Sequence, residues 1–228
     1  MLTVDGTPVP ARDHNIDEQP RIVCGRRTGV GMMSAMPSLV TPVMVPGNLN
    51  ASAQPTLPID KDVLLRPWLP SDAAALARAF QDPAIQRWHL RTADSEDEAE
   101  GWISQWRRGW ETETACHWAV VDAVGSTLLG RVSLQSVILA GGQAEISYWT
   151  TPQARGQGIC SRAVAQVANW ALGEAGFNRL ELGHSTVNVA SCRIAEKTGF
   201  ALEGVRRQAL LHADGWHDMH LHSRVRLA

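Results

Sequence analysis

The feature that most limits what this chain can become is the octapeptide Gln153-Ala154-Arg155-Gly156-Gln157-Gly158-Ile159-Cys160, which joins a strand pattern to a long amphipathic pattern. Glycines at 156 and 158 allow a tight backbone turn and a close approach to a ligand. The N–H groups of the loop and of the first helical turn aim outward together, and the helix macrodipole adds positive potential, so a pyrophosphate fits there. Arg155 is placed to add a charge-assisted contact to a phosphate. A dinucleotide-binding fingerprint requires Gly or Ala where Ser161 stands, and a P-loop requires Gly-Lys-Ser/Thr, which is absent. The loop therefore asks for an anionic ligand on a fold that is neither of those.

The rest of the pattern supplies the frame. Val63 to Trp68 reads as a short strand stopped by Pro67 and Pro70, with Ser71-Asp72 as an N-cap before a helix over 73–80. Ser95 and Glu98 have capping-box spacing and open a second helix through about Trp110. Strands are expected over 117–122, 128–137 and 144–149, with turns at Val124-Gly125-Ser126 and Gly141-Gly142. The amphipathic helix runs from about Gly158 to Ala175 and closes on Gly176. A strand over 179–187, a short helix over 190–198 ended by Gly199, and a closing hairpin (202–210 and 217–226) around Asp214-Gly215 complete the chain. The order predicts a mixed α/β (α+β) fold with one late parallel crossover.

Composition narrows the function classes. A formal net charge of -2 with no long run of one sign offers no field for nucleic acid, so DNA is not an expected partner. The four cysteines, Cys24, Cys116, Cys160 and Cys192, lack C-x-x-C spacing, which argues against a disulfide framework and a thiolate zinc site and points to a reducing, cytoplasmic setting. No apolar run approaches the roughly 20 residues that span a bilayer. Arg26-Arg27 hints at an export signal, but Pro37 and Pro42 interrupt the following stretch. Residues 1–60 are rich in Pro, Gly, Ser, Asn and Thr without periodicity and are expected to form a disordered leader, or in part an over-extended translation start, before a folded domain over 61–228.

The loop matches the Gln/Arg-x-x-Gly-x-Gly/Ala signature of the GNAT N-acetyltransferase superfamily. Ala144 to Trp149, the loop, Asn188-Val189-Ala190-Ser191 and Glu196 to Phe200 together resemble its RimJ/RimL-like branch, a likeness covering about the last three quarters of the chain. The resemblance implies a mostly antiparallel central sheet flanked by helices, in which strand 144–149 splays from strand 179–187. It implies acetyl-CoA as cosubstrate, with no metal, and direct attack by a primary amine in a ternary complex. That amine would be a protein N-terminus or a small molecule such as an antibiotic. Cofactor contacts fall on Trp149, Thr150 and Thr151, whose backbone would pair with pantetheine and hold the oxyanion. Further contacts fall on Arg155, Gly156, Gln157, Gly158, Ile159, Cys160 and Asn188. A homodimer is the assembly that relatives allow.

A protein α-amino group has a pKa of about 7.7–8.0, so a base must remove its proton before attack. Glu145 fills that role by family position, acting through water, with His184 as the other candidate. Ser191 is the donor to the thiolate, because the tyrosine that many relatives carry on the short helix is absent and Tyr148, the only tyrosine, is on a strand. The competing structural readings are an ion-pair Glu145, a cap formed by Asn188 and Ser191, and a hydrogen-bonded core His184. Trp88, His89 and His184 are candidates for the acceptor pocket. Cys160 at a helix N-terminus suggests an acyl-cysteine, but no adjacent base is evident. His212, His217, His220 and His222 crowd the hairpin, and alternation puts Asp218, His220 and His222 on one strand face without an evident fourth metal ligand. Outside the enzyme class, the same fold could serve as a non-catalytic acyl-CoA sensor.

Overall fold

The computed structural model describes residues 39–124 and 127–227. Along them run β1 (Leu57–Pro58), β2 (Val63–Pro67), α1 (Ala73–Ala79), α2 (Pro83–Gln86), α3 (Glu96–Glu111), β3 (Cys116–Asp122) and β4 (Leu128–Ile138). They are followed by β5 (Gln143–Thr150), α4 (Ile159–Leu172), β6 (Arg179–Ser185), α5 (Val189–Lys197), β7 (Ala201–His212) and β8 (Gly215–Val225). The strands form one sheet in the order β1-β2-β3-β4-β5-β6-β8-β7. Every neighbouring pair is antiparallel except β5 with β6. This is the mostly antiparallel sheet flanked by helices that the resemblance implies, with the one late parallel pair that the order of patterns predicts.

Two cores cover the two faces of the sheet, because the side chains of a strand alternate between them. Ile159, Ala163, Val164 and Val167 of α4 pack with Leu134, Ile146 and Leu180 on one face. Leu76 of α1 and Ile103 of α3 pack with Phe80, Val121 and Trp149 on the other. The tryptophans of α3, which recur every fourth residue, are divided between them, with Trp102 and Trp106 against the second core and Trp110 in the first.

Several boundaries differ from expectation for identifiable reasons. Helix α4 stops at Leu172, one turn before Gly176, where Gly173 leaves the helical region at φ -93° and ψ -88°, a conformation in which an added Cβ would lie 2.9 Å from the Asn169 carbonyl oxygen. Gly176 instead takes a left-handed φ of 84° in the turn toward β6. The terminal hairpin pairs His212 with Gly215, so its two-residue loop is Ala213-Asp214. Asp72 flanks α1, but its carboxylate accepts from the Leu69 N–H and from the Arg66 guanidinium, at 2.7 Å, in place of a helical N–H. Ser95 caps α3 as expected, accepting from the Glu98 N–H at 3.2 Å.

The largest departure concerns the supposed leader. Residues 1–38, with Cys24, Arg26-Arg27 and Pro37, lie outside the described residues, as does the Gly125-Ser126 turn. From residue 39 onward the chain belongs to the packed body. Met44, Leu49 and Leu57 are buried in the α4-side core, and β1 pairs with β2. Polar composition hides this segment because its backbone is satisfied by distant partners, not by a ladder of its own. The Glu113 carboxylate accepts from Gly47 N–H at 2.6 Å and Leu49 N–H at 2.8 Å, and the Trp110 and Trp118 indoles donate to Ser52 O and Pro55 O.

Removing the Glu113 carboxylate leaves two N–H groups without their partner, an effect worth about 1–3 kcal/mol. Glu113→Ala is expected to lower the urea midpoint accordingly and to expose residues 45–55 to limited proteolysis. An unchanged midpoint and cleavage pattern would show that the segment is held by its apolar anchors alone.

Candidate active site

The site begins where the parallel pairing of β5 with β6 fails. β5 and β6 pair at Gln143↔Arg179, Ala144↔Leu180 and Glu145↔Glu181, and no further. β4 holds β5 as far as Gly130↔Thr150, while β8 holds β6 as far as Ser185↔Met219. Each strand is thus kept straight by its outer neighbour while the two separate from each other. At the far end of β4, Gly130 is required for close approach, since a Cβ there would collide with the Trp149 carbonyl.

Alternation of hydrogen-bonding direction decides which backbone groups face the gap. Thr151 donates its N–H to Leu129 O at 2.9 Å, so Thr151, Trp149, Ser147 and Glu145 direct their backbone groups toward β4. Ile146, Tyr148 and Thr150 direct theirs into the gap. The expectation that the backbones of Trp149 and Thr151 meet a ligand is corrected here: of that trio only Thr150 points the right way, joined by Tyr148. The error is one residue, the smallest slip that reverses direction on a strand.

At the mouth of the gap, Gly156 and Gly158 hold left-handed φ values of 76° and 70°, and Gly158 is the residue before α4. The first-turn N–H groups of this 14-residue helix face out of the loop. Arg155 is engaged locally, its guanidinium donating to Asp82 at 2.5 Å and to Thr150 O at 3.3 Å. Gln157 is exposed and bonds back to Gln153 O, whereas Ile159 is buried in the core.

A cavity of about 750 Å³ continues from the gap toward α2 and α3. Glu145, Trp149, Thr150, Arg155 and Cys160 line it from β5, the loop and the first turn of α4, and Asn188 and Ser191 from the start of α5. Trp88, His89 and His184 also line it, so the cavity brings together both halves of the expected site. Thr151, Gly156, Gln157, Gly158 and Ile159 are not part of its wall.

Burial raises the Glu145 carboxyl above its ordinary pKa, reinforced by Glu181 and opposed by Gln135 and Arg206. Its Oε1 lies over Gly183, 3.6 Å from where a Cβ would sit, so the missing side chain leaves room beside the carboxylate. Asn188 caps α5 by accepting from Ser191 N–H at 3.1 Å. A feature missed in the sequence is Tyr148, whose hydroxyl donates to Ser191 O at 3.4 Å and so reaches the start of α5 from the strand. Its even position on β5 is the signal that could have placed it there. The Cys160 thiol is pushed up to about 12 by burial, which removes the thiolate that an acyl-cysteine would need.

The wall under α3 carries a cation, Arg131, that has no ion pair among the described residues. Arg131 lies over the Trp106 ring at 5.2 Å and donates to Ser147 Oγ at 3.4 Å, and its Nε is buried without a partner. Burial and this guanidinium keep two neighbours neutral: His89 is lowered to about 4 and His117 to about 3, desolvation being the larger cause in each. His89 Nδ1 lies 2.7 Å from Ile85 O, and His117 Nδ1 lies 2.8 Å from Ser133 Oγ.

The Acetyltransferase (GNAT) domain family matches residues 62–201. "Probable N-acetyltransferase YjcK" of Bacillus subtilis (strain 168) is 32% identical over 117 residues, 51% of this chain and 65% of the relative, so the chain spans just under two thirds of that protein. The "Ribosomal-protein-serine acetyltransferase" of Escherichia coli (strain K12) is 30% identical over 98 residues, covering 43% of this chain and 55% of the relative. A solved structure of a RimL ribosomal alpha-N-protein acetyltransferase in complex with coenzyme A superposes with a TM-score of 0.71 at 20% identity, over 75% of this chain and 98% of that one. At that identity the likeness speaks for the fold.

His89 and His117 bind fewer protons folded than unfolded below pH 6.5, so stability falls as pH drops from about 6.5 toward the folded values, by up to about 1.4 kcal/mol per pH unit for each. Urea melts at pH 6.5 and 5 are expected to show this loss, and the pair of substitutions His89→Gln and His117→Gln to reduce it. Equal pH slopes in the two proteins would mean that these rings accept protons without penalty.

Proposed function

The chain is a member of the GNAT acetyltransferase family, an N-acetyltransferase domain by sequence and by fold, and from that membership we propose that it moves the acetyl group of acetyl-CoA to a primary amine by direct attack in a ternary complex. The observation that carries this reading is the gap between β5 and β6, with its unpaired backbone edge ending at a glycine loop and a helix N-terminus. Pantetheine amides suit the edge groups of Ile146, Tyr148 and Thr150, acting as an added strand. The diphosphate suits the loop from Gly156 and the first turn of α4, where N–H groups and the helix dipole meet. Arg155 reaches a phosphate by leaving Asp82.

In this mechanism Glu145 removes the amine proton, directly or through water. Its raised pKa moves it toward the value an effective base needs near neutrality. His184 is a poorer base, since its Nδ1 faces Ser185 O at 2.8 Å and its Nε2 faces His222 at 3.2 Å. Ser191, with the Tyr148 hydroxyl beside it, donates to the departing thiolate. The N–H groups at the gap edge receive the negative charge of the tetrahedral intermediate. The acceptor enters from the aromatic wall with Trp88 and His89.

The curated and structural relatives include proteins named as ribosomal-protein acetyltransferases. A protein N-terminus is therefore the first acceptor class to try, and small-molecule amines the second. No described helix is long and apolar enough to cross a membrane. We place the reaction in the cytoplasm, where acetyl-CoA and nascent protein N-termini meet, and a homodimer is compatible with it.

Thiol release from acetyl-CoA across peptide N-termini, polyamines and aminoglycoside-like amines tests the proposal, with turnover on one class expected. Glu145→Gln is expected to lower kcat about a hundredfold or more with CoA affinity kept. CoA binding without turnover on any amine, and without effect of that substitution, would favour a non-catalytic sensor. Gly156→Glu, which sets bulk and charge against the diphosphate and strains a left-handed position, is expected to lose CoA binding. Retained affinity would refute the placement of the loop.

A further inference from the structure

The hairpin histidines divide into two groups. His212 and His217 pack around Trp88 at the cavity, whereas His220 and His222 turn to the opposite face of the sheet. There they meet His184 of β6 and Cys192 of α5, whose ligand atoms all lie within 4.8 Å of one another. The sequence offered no fourth ligand because the remaining two come from different elements.

Ring orientation at this cluster is determined by backbone carbonyls. His184 Nδ1 lies 2.8 Å from Ser185 O, and His222 Nδ1 lies 3.2 Å from Phe200 O. A carbonyl oxygen only accepts, so each Nδ1 carries its hydrogen and each neutral ring presents a lone pair at Nε2. Those two Nε2 atoms face each other at 3.2 Å. Two opposed lone pairs repel unless a cation lies between them, and a shared proton or a metal ion would serve.

A proton needs two partners, and this cluster has four. His220 stands edge-on to His184 at a centroid distance of 5.1 Å, and its Nδ1 is buried without a partner. Cys192 supplies a sulfur whose described bond is a long one, 3.7 Å to Glu196. In a tetrahedral zinc site, metal–nitrogen bonds of about 2.05 Å put two nitrogens about 3.3 Å apart, and a sulfur about 3.6 Å from each nitrogen. The His184–His222 spacing already matches, and the other atoms close the remaining ångström or so by side-chain rotation. Imidazoles oriented by Nδ1–H to carbonyl bonds are the usual support of such ligands.

We propose that His184, Cys192, His220 and His222 form a site for one borderline transition-metal dication, zinc being the best fit to three imidazoles and a thiolate. Cys192 enters as thiolate, releasing its proton to solvent as the metal–sulfur bond forms. The site ties α5 to β6 and β8, and it stands independently of the acetyl-transfer reading.

The full chain, stripped with chelator under reducing conditions, is titrated with Co2+ and then Zn2+. One Co2+ per chain is expected, with tetrahedral visible bands and a sulfur-to-metal charge-transfer band, all removed by one equivalent of Zn2+. Cys192→Ser, at a half-buried position, is expected to lose the charge-transfer band and at least tenfold in affinity. His222→Gln is expected to weaken binding at least as much, and His212→Gln to leave it unchanged. Substoichiometric uptake overturns the proposal, as does binding that survives Cys192→Ser with its spectrum intact. Loss of uptake in His212→Gln would also overturn it.

Discussion

Everything at the active site depends on two strands that pair for three residues and then separate. Parallel neighbours normally satisfy each other's backbone along their whole length, and an unpaired buried edge is costly. Here the cost is limited because the gap opens to a cavity, and because β4 and β8 keep each strand in its extended shape from outside. The sheet thus opens between β5 and β6 beyond Glu145 and Glu181, and the glycine loop and α4 follow from the open end of β5.

The two sides of that opening have different electrostatics. Toward α3 the wall carries a guanidinium, Arg131, among aromatic rings and histidines that burial holds neutral. Toward β6 lies a carboxyl whose proton affinity burial has raised. A cationic neighbour would lower that affinity, but Arg131 bonds to Ser147, the next residue on the same strand face, and the cation that opposes the rise at Glu145 is Arg206.

Much of this was legible in the chain. The glycine loop, the strand before it and the amphipathic helix after it specify one local geometry, and the order of patterns around them leaves few topologies. Boundaries slipped where a neighbour decided them, as at Gly173, where the Asn169 carbonyl leaves no room for a side chain. The segment around Met44 and Leu49 was illegible because its order comes from Glu113, over sixty residues away in sequence. The direction of backbone groups on β5 could not be read, because it depends on register with β4 and a one-residue shift reverses it. The histidine–cysteine cluster needed three elements to meet, and the alternation of His220 and His222 on β8 shows only half of it.

Tyr148 gives the opening a fixed gauge. Its phenol leaves β5, spans the opening and ends on the carbonyl of Ser191 at the start of α5. A ring is a rigid strut of set length, unlike the long flexible chains that line most surfaces, so the clearance between β5 and α5 at this point is determined by one side chain. On the proposed reading, a pantetheine arm laid along the edge of β5 would meet that strut, and its slenderness would then favour it over a branched arm before any polar group is recognised.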